Sequence, residues 1–337
     1  MDNNYTPYNS PSTEYSPAPK PPRATNKFIN ILLALLKCAG YVATLLGVQF
    51  VLMLGFILFT YIANPTLSYT EVVNKVYGLS MELTLITNIL TLVLFVLFYI
   101  IIKKPFLKTI KAKAPHKASY IPTIAIGGSA QYVTALILGM IILILPKEWV
   151  DSFNQNNELI ENANQVVSFI TAVIMAPLFE EILCRGLILN TLRGAMPKWW
   201  AIVLSSAIFG IIHGNPIQFI YATALGILLG WLYTKFDSIY IPMLCHLVFN
   251  LMSMINSYLD PENMVVTLIL GLVMFVSIPV FALSVVYICL KKFDKPKAVS
   301  VQAVQNTEAT PRQEYNADAL SNLEREIEGK NNNINGD

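Results

Sequence analysis

The stretch MVVTLILGLVMFVSIPVFALSVVYICL, residues 264–290, contains no Asp, Glu, Lys or Arg. A helix crosses the hydrocarbon core of a bilayer with about 20 apolar residues, so this run is long enough to span a membrane, with Pro279 as the expected site of a kink. The rest of the chain repeats the pattern. Hydrophobic residues make up 55% of it and charged residues 13%, against about 25% charged in soluble domains. Eight apolar runs are bounded by charge, Pro or Gly: Phe28–Ala63 (crossing from about Tyr41), Leu83–Ile102, Ile121–Leu145, Ala163–Leu192, Trp199–His213, Ile217–Tyr233, Ile239–Tyr258 and Met264–Leu290. The expected fold is all-α, a polytopic membrane protein of about eight transmembrane helices around a polar intramembrane site.

Three regions follow. Residues 1–27 read as a disordered polar tail without an apolar signal segment, 28–295 as the membrane domain and 296–337 as a second disordered polar tail. In the last, Leu320, Leu323 and Ile327 recur at helical spacing, which suits a solvated marginal helix or a short amphipathic element for a protein partner or the membrane surface. Lysines set the orientation. Lys103, Lys104, Lys108, Lys111, Lys113 and Lys117 follow the second run without an acid among them, while Glu148, Asp151, Glu158 and Glu161 fall after the third. With eight spans the basic loops all lie on one side, so both termini are expected in the cytoplasm. The net charge of +2 gives no sign of a nucleic-acid partner; membrane lipid is the expected surround. Cys38, Cys184, Cys245 and Cys289 stand singly in apolar runs and read as buried thiols.

Ionisable groups in a span cost roughly 2.5–3.5 kcal/mol each on insertion scales and mark functional sites. The fourth run carries Glu180, Glu181 and Arg185, the fifth ends at His213 and the seventh carries His246 and Asn250. Glu181 and Arg185 are four apart and share a helix face, suiting an ion pair. Glu180 is turned about 100° away and offers its carboxylate to another neighbour. His246 and Asn250 share a face, as do Phe209 and His213. A carboxylate and an imidazole on one water, faced by a histidine and an asparagine that donate hydrogen bonds to an oxyanion, suit amide hydrolysis. A purely structural charge cluster is the plainer alternative. By depth along their helices, His213 is expected about 10 Å farther from the cytoplasmic face than Glu180 and His246.

In order these motifs are Glu180-Glu181-Ile182-Leu183-Cys184-Arg185, Phe209-Gly210-Ile211-Ile212-His213 and His246-Leu247-Val248-Phe249-Asn250. The set resembles the CPBP family of CAAX prenyl proteases and bacteriocin-processing enzymes, also called Abi, over roughly residues 160–255. The resemblance implies an intramembrane endopeptidase, most often of a bacterial cell membrane, that cleaves a peptide or lipidated peptide such as a prenylated CAAX terminus. It implies that Glu180 and His213 activate water, that His246 and Asn250 form the oxyanion hole, and that Glu181, Arg185 and Phe209 support the site. Glutamate and metallo mechanisms both stay open; zinc, if used, would fall to Glu180, His213 and His246. The alternative is a non-catalytic bacteriocin self-immunity or regulatory scaffold of the same fold. Other chemistries find less here: HExxH is absent, no Asp lies in a span, and Gly127-Gly128-Ser129 reads as packing rather than as a serine nucleophile.

Overall fold

The computed structural model describes residues 26–260, 262–291 and 293; the expected tails, beyond Asn26 at one end and Phe293 at the other, lie outside the described residues. Ten helices of ten residues or more carry the fold: α1 Lys27–Ala63, α2 Tyr69–Gly78, α3 Ser80–Ile101, α4 Tyr120–Ile141, α5 Lys147–Asn162, α6 Gln165–Arg193, α7 Lys198–Ile211, α8 Pro216–Phe236, α9 Tyr240–Ser257 and α10 Met264–Leu290. No strand occurs among the described residues. Each of the eight expected spans corresponds to one of these helices. Six of them (α1, α3, α4 with its flanking turns, α6, α8 and α10) are long and apolar enough to cross a membrane. The other two fall short for visible reasons: α7 has only 14 residues, and His246, Asn250 and Asn256 interrupt the apolar run of α9. The two remaining helices lie between the expected spans. Helix α2 begins with a capping box in which Ser68 and Glu71 satisfy each other's backbone N–H groups, and α5 is amphipathic with Glu148 in its first turn.

Local chemistry sets the helix starts. Asn164, Asn215 and Asn263 each accept two N–H groups of the turn that follows, and Pro216 occupies the first turn of α8, where its missing N–H costs nothing. Burial then separates inner from outer helices. In α6 and α8, 44% of the most apolar window is buried, against 6% in α1 and α10. The large side chains exposed on α1 and α10, Phe50, Leu272 and Phe275 among them, form the apolar exterior that lipid would cover. Cys38, Cys184 and Cys245 are buried as expected, but Cys289 is exposed, because it points outward from α10.

Close packing rests on absent side chains. A Cβ on Gly127 of α4 would stand 2.5 Å from the Cys245 carbonyl oxygen and 3.1 Å from Val248 Cβ, whereas one on Gly128 meets nothing nearer than 3.8 Å. Helix α4 therefore touches the backbone of α9 one residue before His246. Ser129 donates back to the carbonyl of Ala125, a packing role rather than an exposed nucleophile. The lysine-rich segment after α3 is strapped to the ends of three inner helices. Asn190 donates to the Thr109 carbonyl, Ile110 lies against Gly186, Ser238 donates to the Lys113 carbonyl, the Ile239 N–H to that of Lys111, and Lys111 and Lys113 both pair with Asp237.

Two outcomes follow from these contacts. Gly127→Ala is expected to lower thermal stability by about 1–3 kcal/mol through overpacking while Gly128→Ala leaves it unchanged, as read by melting in detergent. Burial raises the Asp237 carboxyl, but the hydrogen bonds and charges of Lys111 and Lys113 together outweigh it and hold the group below the ordinary carboxylate range. The stabilisation from this partly exposed pairing, worth up to about 1 kcal/mol per pair, is present above that range. It is expected to be lost as the pH falls through the lowered value, and Asp237→Asn should remove it at neutral pH.

Candidate active site

The fourth span is not a uniform helix. Helix α6 widens to π-helical turns over Phe169–Met175 and again over Ile182–Leu189, with α-helical turns over Ala176–Glu181 between them. Such widened turns recur at functional sites. Glu180 and Glu181 end the α-helical part, and Arg185 lies in the second wide stretch.

Around them the charges form one connected chain. Arg185 Nη1 donates to Glu181 Oε1 at 2.8 Å, and Arg185 Nη2 to the Gly226 carbonyl of α8 at 3.0 Å. The same Glu181 Oε1 accepts from His246 Nδ1 on α9 at 3.0 Å. Arg185, Glu181 and His246 are 1%, 0% and 3% exposed, so each depends on the others in place of water. With Nδ1 committed to Glu181, the other ring nitrogen of His246 faces Glu180, whose Oε2 is 3.7 Å away. Glu180 keeps 19% of its side chain accessible; it is the carboxylate of the pair that solvent or substrate can reach.

Phe209 brings in α7. Its buried ring carries the Arg185 guanidinium 4.7 Å from its centroid, a cation–π contact. It meets the rings of His213 and His246 edge-on at 4.8 and 5.7 Å. The two histidines expected at different depths thus share one phenyl ring. His213 lies just past the end of α7, not on it, and is drawn back by donating Nδ1–H to the Phe209 carbonyl at 2.7 Å. That bond leaves Nε2 as the basic nitrogen.

Six of the seven expected site residues therefore form one connected group. Asn250 has a different partner. Its amide donates to the Ala172 carbonyl of α6 at 2.8 Å, one helical turn beyond His246. The metal expectation finds no cage. Among the described residues no three His, Cys, Asp or Glu side chains are arranged to hold an ion, although the Nδ1 bonds of His213 and His246 leave both Nε2 atoms free. Glu180, His213 and His246 do not fit a zinc site as they stand.

Two contributions were not read from sequence. The Gly226 carbonyl, which anchors Arg185, is exposed to it because Gly226 lets α8 approach α7; a Cβ there would stand 2.9 Å from that of Ser206. Gly226 and Gly230, four apart, were the available signal. Asn215, two residues after His213, caps α8 and donates to Ser152 of α5 at 3.0 Å, tying the His213 turn to the amphipathic helix. The Asn215-Pro216 pair is a legible helix start.

Residues 162–252 match the family described as "Type II CAAX prenyl endopeptidase Rce1-like", which takes in every residue of this site. Over these residues the chain is similar to the CAAX prenyl endopeptidase family. A relative in Bacillus subtilis (strain 168), named "Putative membrane peptidase YdiL", is 29% identical over 126 residues, 35% of this chain and 52% of that protein. The chain thus aligns with about half the length of that relative. No solved structure matches it.

The buried chain of charge sets an expected cost. Arg185→Met would strand the Glu181 carboxylate and should destabilise the protein by about 3–5 kcal/mol. Arg185→Lys should recover only part of this, since one ammonium cannot reproduce the planar two-nitrogen reach to Glu181 and Gly226. Denaturant unfolding in detergent reads both.

Proposed function

We propose that this protein is an intramembrane endopeptidase that hydrolyses a peptide bond in a membrane-associated or lipidated peptide, using a water activated by Glu180 and His213. The reading rests above all on one observation: a buried imidazole held by one glutamate presents its free side to a second, more accessible glutamate. A merely structural cluster needs only the Glu181–Arg185 pair.

Each residue has a role that its hydrogen bonds suit. A water between Glu180 and His213 gives one O–H to the carboxylate and the other to Nε2 of His213, the nitrogen left basic by the bond to Phe209. Its lone pair then attacks the scissile carbonyl while Glu180 takes the proton. The carbonyl oxygen becomes negative. Asn250 has a second amide N–H beyond the one given to Ala172, and His246 in its charged form has an Nε2–H; both can donate to that oxygen. Collapse of the tetrahedral intermediate returns the proton from Glu180 to the leaving amine. Glu181 and Arg185 touch no reacting atom and hold His246 in place. The site's position among apolar helices and the likeness to the CAAX prenyl endopeptidase family support this substrate class, and a CAAX-type lipidated terminus is one member of it.

The test uses purified protein in liposomes with a panel of internally quenched peptides, some prenylated at a C-terminal CAAX cysteine and some single apolar spans. Wild type is expected to cleave at least one. Glu180→Ala and His213→Ala are expected to lose about a hundredfold or more in kcat with unchanged melting temperature. Cleavage by Glu180→Ala at the wild-type rate would refute the mechanism. An intact fold that cleaves nothing in either form would favour the immunity or scaffold alternative.

A further inference from the structure

Pro177 lies inside α6, buried, three residues before Glu180. A proline within a helix lacks the N–H that closes one rung of the ladder, and the consequence can be followed atom by atom. The first wide stretch of α6 bonds each N–H to the carbonyl five residues back, and its last such bond runs from the Ala176 N–H to the Thr171 carbonyl. The next rung would run from residue 177 to Ala172. Pro177 has no hydrogen to give, so the Ala172 carbonyl has no donor in its own helix. A bare carbonyl among apolar helices costs free energy unless another group reaches it. The group that does so is the amide of Asn250, from α9, at 2.8 Å.

We infer that Pro177 is a positioning residue for Asn250. By withholding a backbone hydrogen it leaves an acceptor that fixes one N–H of the Asn250 amide, and so turns the second N–H toward the site. The inference rests on the oxyanion role proposed above for Asn250, but its geometry does not. A primary amide on a two-torsion side chain is free to rotate; tying one of its hydrogens to a rigid main-chain oxygen sets the direction of the other. The wide turns contribute too, since in a regular helix the Ala176 N–H would have taken the Ala172 carbonyl.

The inference reverses the usual expectation for proline in a helix. Pro177→Ala restores an N–H that can close on Ala172, so the helix gains a bond while Asn250 loses its anchor. Four proteins test it: wild type, Pro177→Ala, Asn250→Ala and the double variant. Each is measured for melting temperature in detergent and for kcat and KM on whichever quenched peptide the wild type cleaves. Pro177→Ala is expected to melt at or above the wild-type temperature while kcat falls about tenfold or more and KM stays within about twofold; loss of one oxyanion donor outright costs about 100- to 1,000-fold. Asn250→Ala is expected to lower the melting temperature in the wild-type background and much less in the Pro177→Ala background. The double variant should be no slower than Asn250→Ala alone.

Wild-type kcat in Pro177→Ala, or rate losses that multiply in the double variant, would overturn the inference. So would an equal melting loss from Asn250→Ala in both backgrounds, or a Pro177→Ala protein that fails to fold. Failure of the catalytic reading looks different: the melting temperatures would still couple, but either no protein, wild type included, would cleave any peptide, or Asn250→Ala would cleave at the wild-type rate. Either outcome would overturn the catalytic role of Asn250 and leave Pro177 nothing to position.

Discussion

One carboxylate oxygen, Glu181 Oε1, accepts from both Arg185 and His246, and the centre of this molecule is arranged to let it. Removing two full charges and an imidazole from water is expensive, and their attraction repays the cost only with good geometry and further hydrogen bonds. Those are supplied by the Gly226 carbonyl below the guanidinium and the Phe209 ring beneath it. Each supplier has its own requirement. Gly226 must lack a side chain so that α8 can approach α7, and Gly127 must lack one so that α4 can hold α9 at the level of His246. Five helices, α4 and α6 to α9, thus bear on the surroundings of a single atom.

The same economy separates the two glutamates. Adjacent in sequence, they cannot both face the ion pair. Glu181, fully buried, is consumed by holding Arg185 and His246; Glu180, still accessible, is left facing the imidazole it does not bind. A reactive group needs access, and a supporting group needs burial. Helix α6 provides both in consecutive residues, and its two wide stretches on either side of the pair alter which backbone groups are left for other helices to use.

Much of this was legible in the residues. Long uncharged runs such as 264–290 fixed the helical membrane class, and the four-residue spacings Glu181–Arg185 and Phe209–His213 named true neighbours. What escaped was tertiary or backbone in origin. Spacing could not show that His246 bonds Glu181 rather than Glu180, because that depends on how α9 lies against α6. It placed His213 on a helix that ends before it, and depth along straight helices set the two histidines apart where the ring of Phe209 joins them. The π-helical turns left no periodic trace among apolar residues. Pro177 was the one local sign that the ladder had to break, and the amide that mends it is far along the chain. Helices α2 and α5 were hidden by their polarity, being too hydrophilic to read as spans.

The account stands or falls on the bond between Glu181 and the δ nitrogen of His246. With only three histidines in the chain, nitrogen-15 NMR of imidazole-labelled protein in detergent can assign each ring. The account expects His246 to carry its proton on Nδ1 in a strong hydrogen bond, with that signature abolished by Glu181→Gln and the His213 resonances little changed. An unprotonated Nδ1 in His246, or a spectrum indifferent to Glu181→Gln, would contradict it.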